Sequence, residues 1–489
     1  MNAARADGVS WSMTLARLAV ARGALLALGL AACDGGGGAA PPLDAPGDDA
    51  AVDATADAVI DAPVDATPDA AVDATIDAAI DAGPSGPVTV RVARPRSPSP
   101  SLPLSGILVF ASHPDGSLGT RGVTDANGEV TLSAQAGSTV TALLSDDGRA
   151  RVLSSILGVE PGDVLTIDPE REGLGTAGPG VTYTWPQTPD ADNSLSFDAV
   201  MINDGCWHRS VMTFAPDPPI PPLPTAGTLG LVPGCGADPR DVVVLHYDTD
   251  HLARYALLHG VPAAVAVRPI GGWSLPDTTF TARAVGLPAY VNSFGGVPSP
   301  VIHGHSMAPR LDTAAPTAGN ATLTTPWVSA FGEARVWYFA GSNLYGATSC
   351  FDDVPAGVHD VTFDGAELPT MVGTSSIAPA TRRVTWDRSP GPDPDEIRVT
   401  LRYYGPHISP LVDWTLRAPG TADDVVLPEL PPELAEATLL PSYSTYTSVA
   451  FFDLETVTDW PTMRALPFWA ADLDAAQSNR WGRACQSWH

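Results

Sequence analysis

The chain has 489 residues, a formal net charge of −29 and a pI near 4.4. All 26 of its basic residues are Arg, which excludes chemistry that needs Lys: a Schiff base, a phosphate-loop Lys or a Ser–Lys dyad. The acidic balance also argues against nucleic acid as a partner, because phosphate binding needs basic patches that release counterions.

In chain order, the first feature is Arg17 and Arg22 flanking a Leu- and Ala-rich run, Gly23 to Ala32, that ends at Leu30, Ala31, Ala32 and Cys33. The run is interrupted by charge and is shorter than the ~20 apolar residues of a spanning helix. This ending resembles the lipobox of bacterial lipoprotein signals. The resemblance implies that residues 1–32 are a signal peptide. It also implies that Cys33 is the mature N-terminus and carries a thioether-linked lipid, with the protein held at a bacterial membrane of the cell envelope, either the outer membrane or the periplasmic face of the inner one. Two or three acyl chains anchor stably where one does not.

Residues 51–82 are eight tetrapeptides that each end in Asp-Ala. A helix would stack these Asp residues at i, i+4, and Pro63 and Pro68 would interrupt it. Residues 33–86 are therefore expected to be a disordered, extended linker between anchor and folded part. Isolated carboxylates on such a chain cannot readily supply the six to eight oxygens that calcium takes.

From residue 87 the texture becomes apolar alternation broken by Gly, Pro, Asn and Asp. Val88, Val90 and Val92 alternate with Thr89 and Arg91, the period of a half-buried strand. Further strands are expected at Ile107–Phe110, Val130–Leu132, Val140–Leu144 and Val164–Ile167. The Asn127-Gly128 pair between such segments is a hairpin signal. Gly106 to Phe110, Thr124 to Gly128, Val130, Leu132, Gly137 and Val140 to Leu144 together resemble the carboxypeptidase regulatory-like domain, a transthyretin-like β-sandwich. The resemblance covers 87–170 and implies a non-catalytic supporting module.

The rest also reads as β: strands are expected at Val181–Trp185, Leu195–Met201, Val242–His246, Ala334–Phe339, Arg398–Tyr404 and Val449–Phe452. The fold class is therefore mainly β, tandem sandwich modules after a disordered acidic linker, with one or more β-rich modules over 171–375 and a sandwich-like module over 376–489. Thr184-Trp185 with Thr188-Pro189 echoes Thr385-Trp386 with Ser389-Pro390. The second copy, ahead of Tyr403 and Tyr404, loosely resembles fibronectin type III or immunoglobulin-like packing. Most Trp residues should be core, though exposed ones would suit a glycan.

After Cys33, four cysteines remain: Cys206, Cys235, Cys350 and Cys485. Three connectivities exist; the shortest loops give Cys206–Cys235 and Cys350–Cys485. A thiolate zinc site is the rival reading, disfavoured in an oxidising compartment.

His246, Asp248, Asp250 and His251 follow the apolar run Val242–Leu245 and precede a helix-like stripe of Leu252, Tyr255, Ala256 and His259, with Gly260 as its stop. Strand, cluster, helix resembles the metal-ligand motif of the metallo-β-lactamase superfamily, with Asp248 in place of its middle His and His303 and His305 as further ligands. Helix capping by the Asp residues is the plainer reading. Gly304 to Ala308 resembles a nucleophile elbow, but Pro309, Pro316 and Pro326 deny it the following helix. The acidic runs Asp190–Asp192 and Asp393–Glu396 read as solvated turns before calcium ligands.

Sequence alone names no reaction. The expectation is a lipid-anchored envelope protein that displays β-sandwich modules for binding or support, with an envelope protein or glycan as partner and without a cofactor. The alternative is a secreted metal-dependent hydrolase centred on His246, Asp248, Asp250 and His251, holding zinc.

Overall fold

The computed structural model describes residues 84–94, 102–146, 150–168, 178–186, 198–203, 208–213, 225–231, 239–248, 251–262, 267–302, 305–306, 313–404, 411–455, 457, 459–466 and 484–488. The expected lipidation site Cys33 and the Asp-Ala linker lie outside them.

The first sandwich comprises β1 (Ser85–Arg94), β2 (Leu102–Pro103), β3 (Leu108–Ser112), β4 (Leu118–Val123), β5 (Glu129–Gln135), β6 (Ser138–Asp146), β7 (Ala150–Val159) and β8 (Val164–Ile167). The expected alternation holds in β1: Val88, Val90 and Val92 are fully buried between the sheets. One sheet runs β5-β1-β8, with β8 parallel to β1; the other runs β4-β3-β6-β7.

The Asn127-Gly128 turn forms, but it does not close a hairpin, because β4 and β5 belong to opposite sheets. Asp125 Oδ1 accepts from the N–H groups of Asn127 (2.8 Å) and Glu129 (3.0 Å), so a side chain supplies bonds that a hairpin would take from its partner strand. Gly128 then turns toward β1, where its carbonyl accepts from Val92 N (2.8 Å). Its φ of 73° and the 2.5 Å that would separate a Cβ from the Val92 carbonyl oxygen require glycine there.

The second sandwich has β9 (Gly178–Thr184), β10 (Asp198–Asn203), β11 (His208–Thr213), β12 (Ala226–Leu231), β13 (Arg240–Asp248), β14 (His251–Val261) and β15 (Val267–Pro269). The third has β16 (Thr278–Val285), β17 (Ser293–Ile302), β18 (His305–Ser306), β19 (Thr313–Ala314), β20 (Ala321–Trp327), β21 (Ala334–Ser342), β22 (Gly346–Val354) and β23 (Asp360–Asp364). Their sheets run β12-β9-β15 over β11-β10-β13-β14, and β20-β16-β23 over β18-β17-β21-β22. With the seven principal strands of each lettered A to G, all three sandwiches have the order D-A-G over C-B-E-F, and in each G lies parallel to A.

The fourth sandwich differs. It comprises β24 (Val372–Ala378), β25 (Arg383–Arg388), β26 (Glu396–Tyr404), β27 (Leu411–Pro419), β28 (Asp424–Val426), β29 (Ser444–Leu454), the short helix α1 (Trp460–Ala465) and β30 (Ala484–Trp488). Its order is A-B-E (β24-β25-β28) over G-F-C-C′ (β30-β29-β26-β27), the arrangement of a fibronectin type III sandwich. Trp185 and Trp386 therefore do not mark a repeat. Trp185 follows strand A of the second sandwich, whereas Trp386 lies in strand B of the fourth.

The sandwiches are not independent beads. A 13-stranded sheet passes through three of them: β22 of the third pairs with β30, and β27 pairs in parallel with β7 of the first from Leu411↔Ala150 to Arg417↔Ile156. The first and third sandwiches thus both add to the fourth through their F strands. The second packs on the third, with Val243, Leu245, Tyr247 and Leu252 joining the third's core and Tyr255 meeting the Phe331 ring edge-on at 5.4 Å.

Candidate functional site

The His246 cluster lies on a β-hairpin, not at a strand-to-helix turn. The segment after His251, expected to be helical, is strand β14, paired antiparallel with β13. The helix-like stripe has a specific cause. Pairing passes from His246↔Arg254 to Tyr247↔Leu252, so Ala253 is an extra residue, a β-bulge. The bulge places Leu252 and Tyr255, three residues apart, against the third sandwich, while Ala256 and Leu258 face the second sandwich's interior. The run Val242–Leu245 is apolar throughout because β13 is buried on both faces: Val242 and Val244 inward, Val243 and Leu245 toward the third sandwich.

His246 shares the inward face with Val242 and Val244. It is 3% exposed, and its ring lies 5.7 Å from that of Trp273. Asp248 and His251 are backbone partners at the hairpin end, and Asp250 lies outside the described residues. Among the described residues no group of three or more His, Cys, Asp or Glu side chains is placed to hold a metal ion. A crevice of about 10 Å³ between the second and third sandwiches, lined by Leu245, Tyr247, Val297, Pro298 and Trp327, has room for roughly one water molecule.

His305 and Ser306 form strand β18, paired with β17, and the rest of the Gly304–Ala308 segment lies outside the described residues. His303, the Asp190–Asp192 run, Cys206 and Cys235 lie outside the described residues. Cys350 and Cys485 are joined by a disulfide across directly opposed positions of β22 and β30, with Cα atoms 4.1 Å apart.

The Asp393–Glu396 run is not a solvated turn throughout. Asp393 Oδ1 accepts from Arg388 Nη1 (2.9 Å). Glu396 opens β26 and is fully buried. Its Oε1 accepts from Arg398 Nε (3.0 Å) and Nη2 (2.9 Å), its Oε2 accepts from Arg417 Nε (2.9 Å), and Arg417 Nη2 makes an ion-pair contact with Oε2 at 2.7 Å. Burial works against the Glu396 carboxylate, but Arg417 and Arg398 outweigh it and hold its pKa below the ordinary value. Arg398 also stacks over the Phe452 ring at 4.1 Å.

Asp395 caps β29: its Oδ2 accepts from Leu454 N (2.7 Å). Burial, with the neighbouring Asp453 carboxyl, pushes its pKa up to about 7 against the pull of that N–H.

This charged centre is the junction of the first and fourth sandwiches. Arg417 donates to the Met463 (2.8 Å) and Leu466 (2.9 Å) carbonyls of α1 and its C-cap. From α1, Arg464 donates to the Gly158 carbonyl and to Asp163 (2.8 Å), and Trp460 Nε1 to the Leu157 carbonyl (3.1 Å), all in the first sandwich. Trp414 Nε1 donates to Ser155 Oγ (2.8 Å), itself hydrogen-bonded to Thr141 (2.7 Å). On the face of Trp414 and Ser155, opposite α1, Arg151 pairs with Asp146 and Glu436, and Arg121 with Glu433. Sequence reading missed this junction. The sequence carries only a weak signal of it: Arg398 and Arg417 interrupt the apolar texture of β26 and β27, as surface residues of an amphipathic strand would also do.

No family model and no curated protein matches the chain. Similar solved structures include the Bacillus anthracis TIE protein, 9% identical, covering 57% of this chain and 50% of that one at a TM-score of 0.14. The pilus adhesin SpaC from Lactobacillus rhamnosus GG in its open conformation is 12% identical, covering 71% and 44% at 0.15. Two B repeat units of the collagen binding protein of Staphylococcus aureus are 10% identical, covering 74% and 92% at 0.12. The chain thus spans half the length of the first of these. At such scores the likeness is one of β-strand content and not of a shared arrangement.

Proposed function

We propose that the chain is a lipid-anchored cell-envelope protein whose β-sandwiches serve binding or structural support, with an envelope protein or a glycan as partner. The observation that carries this reading is the threefold recurrence of the D-A-G over C-B-E-F order, joined to a fibronectin-like sandwich. That order is the transthyretin-like one, so it supports the carboxypeptidase regulatory-like resemblance of 87–170 and extends it to two further sandwiches. In all three, A and G run parallel and the F edge is engaged by a neighbouring sandwich or packed on one, so the recurrent feature among the described residues is an interface. The anchor rests on Leu30 to Cys33 and its flanking arginines, and the acidic Asp-Ala segment would hold the sandwiches away from the bilayer.

The test is membrane fractionation of the wild type against Cys33→Ser. The wild type should stay in the pellet through a high-salt wash and the variant should become soluble, because only the thiol carries the lipid. A Cys33→Ser chain that stays membrane-bound overturns the anchor. Stoichiometric zinc in the purified protein would overturn the binding role in favour of the hydrolase.

A further inference from the structure

Strand β30 is paired along both edges by different sandwiches. It runs antiparallel to β22 of the third, from Ala347↔Trp488 to Phe351↔Ala484, and antiparallel to β29 of the fourth, from Ala450↔Trp488 to Leu454↔Ala484. Without it, β22 and β29 would face each other across a gap one strand wide, about 9–10 Å. Each would present a row of unpaired backbone groups, the feature that templates strand addition.

The slot selects its occupant by side chain as well as backbone. Ala484 and Cys485 are buried, and Ala484 lies in an apolar cluster with Phe351 and Phe452. Ser487, 1% exposed, hydrogen-bonds Thr348 Oγ1 and donates to the Thr370 carbonyl (3.0 Å). Cys485 stands opposite Cys350. The sequence that meets all these demands is Ala484–Trp488 itself.

We propose that the β22–β29 slot is an acceptor for β30 of a second copy of this chain, so that two copies pair by strand exchange and the Cys350–Cys485 disulfide locks whichever strand is seated. The backbone and side-chain bonds are the same in the exchanged and unexchanged forms. Residues 467–483 link β30 to α1 and reach up to roughly 55 Å when extended, enough to enter a neighbour's slot. A strand returning to its own slot does so at an effective concentration in the millimolar range. Exchange therefore prevails only where copies are crowded or where a covalent bond traps it. In the trap, the Cys350 thiol of one copy and the Cys485 thiol of the other lose two electrons and two protons to form the bond. Those pass to a disulfide oxidant such as glutathione disulfide, which leaves as two thiols.

The test mixes two full-length chains, Cys350→Ser and Cys485→Ser, each also carrying Cys33→Ser, in a glutathione redox buffer. Neither can form the bond within itself. Strand exchange predicts a product of twice the chain mass on a non-reducing gel, absent from either chain alone. Its amount should rise with concentration, and peptide mapping should place the cross-link at Cys485 of one chain and Cys350 of the other. Folded chains that give no such cross-link overturn the proposal.

If either variant does not fold, the wild-type protein is opened with a dithiol reductant, freed of it, and given a synthetic peptide of residues 482–489 whose Cys485 is a mixed disulfide with 2-thiopyridine. Attack by Cys350 on that disulfide joins peptide to chain and releases the thiopyridine. Labelling at Cys350 supports the slot. Labelling only after denaturation overturns it.

Discussion

Glu396→Gln should be among the most damaging single substitutions in the chain, and the reason can be worked from its contacts. The carboxylate accepts three hydrogen bonds from two guanidinium groups, two on Oε1 and one on Oε2, with a further ion-pair contact from Arg417 Nη2 to Oε2. Gln offers one oxygen and turns an NH2 group toward the other Arg. Arg417, whose side chain is 1% exposed, would keep its charge and lose its counter-ion. Breaking a buried pair in this way costs about 3–5 kcal/mol. Asp413→Asn is the control. It removes the partner of Arg402, a pair whose side chains are 51% and 25% exposed, and should cost about 0–1 kcal/mol. Urea unfolding followed by Trp fluorescence resolves the two. With a slope of about 2–3 kcal/mol per molar, Glu396→Gln should lower the midpoint by about 1–2 M and Asp413→Asn by under about 0.5 M. Equal shifts would refute the view that the charged centre holds the first and fourth sandwiches together.

Other outcomes follow from the same structure. The folded-state pKa of Asp395, raised to about 7 from 3.8, means that its protonated form is favoured by folding. That stabilisation is fully present below about pH 4 and is lost as pH rises through 7, so melting temperature should fall between pH 5 and 8 and the fall should be shallower in Asp395→Asn. Replacing both Cys350 and Cys485 by Ala opens a crosslink of sequence separation 135 and should cost about 3–5 kcal/mol by the chain-entropy estimate, read as a lower melting temperature than wild type. Gly128→Ala meets both a positive φ and the Val92 carbonyl oxygen. It should destabilise by about 1–3 kcal/mol, and an unchanged unfolding midpoint would show that the turn is not fixed by β1.

The mainly β class was legible because burial on one face imposes alternation, as in β1, and because turn residues punctuate the chain at short intervals. Strands Val164–Ile167, Ala334–Phe339 and Arg398–Tyr404 lie where alternation put them. The reading failed where a strand departs from simple alternation. In β13, burial on both faces removes the period of two, and in β14 the bulge at Ala253 replaces it with a spacing of three. Together they imitate a strand leading into a helix, and the metal-motif reading of His246 was built on that imitation. The Asn127-Gly128 turn failed differently: turn chemistry fixes the reversal of the chain but not whether the strands it joins share a sheet.

The threefold repeat of sandwich order was invisible for a related reason. Strand order is a property of hydrogen-bonded neighbours distant in sequence, and sandwiches tolerate many side chains on the same scaffold. The Trp185 and Trp386 echo ran between non-equivalent strands, while the true correspondence, β1 with β9 and β16, carries only the Val88-Thr89 and Val181-Thr182 match of the first two strands, which β16 lacks. The buried ion centre follows the same logic from the other side. Glu396, Arg398 and Arg417 could each pass for surface residues of an amphipathic strand; they become interior because β7 of the first sandwich adds to the sheet at β27 and α1 covers its face. A charged residue in a strand is thus assigned to surface or centre by what is added to the sheet edge and laid over its face, and in this chain the added strand comes from the first sandwich, more than a hundred residues away.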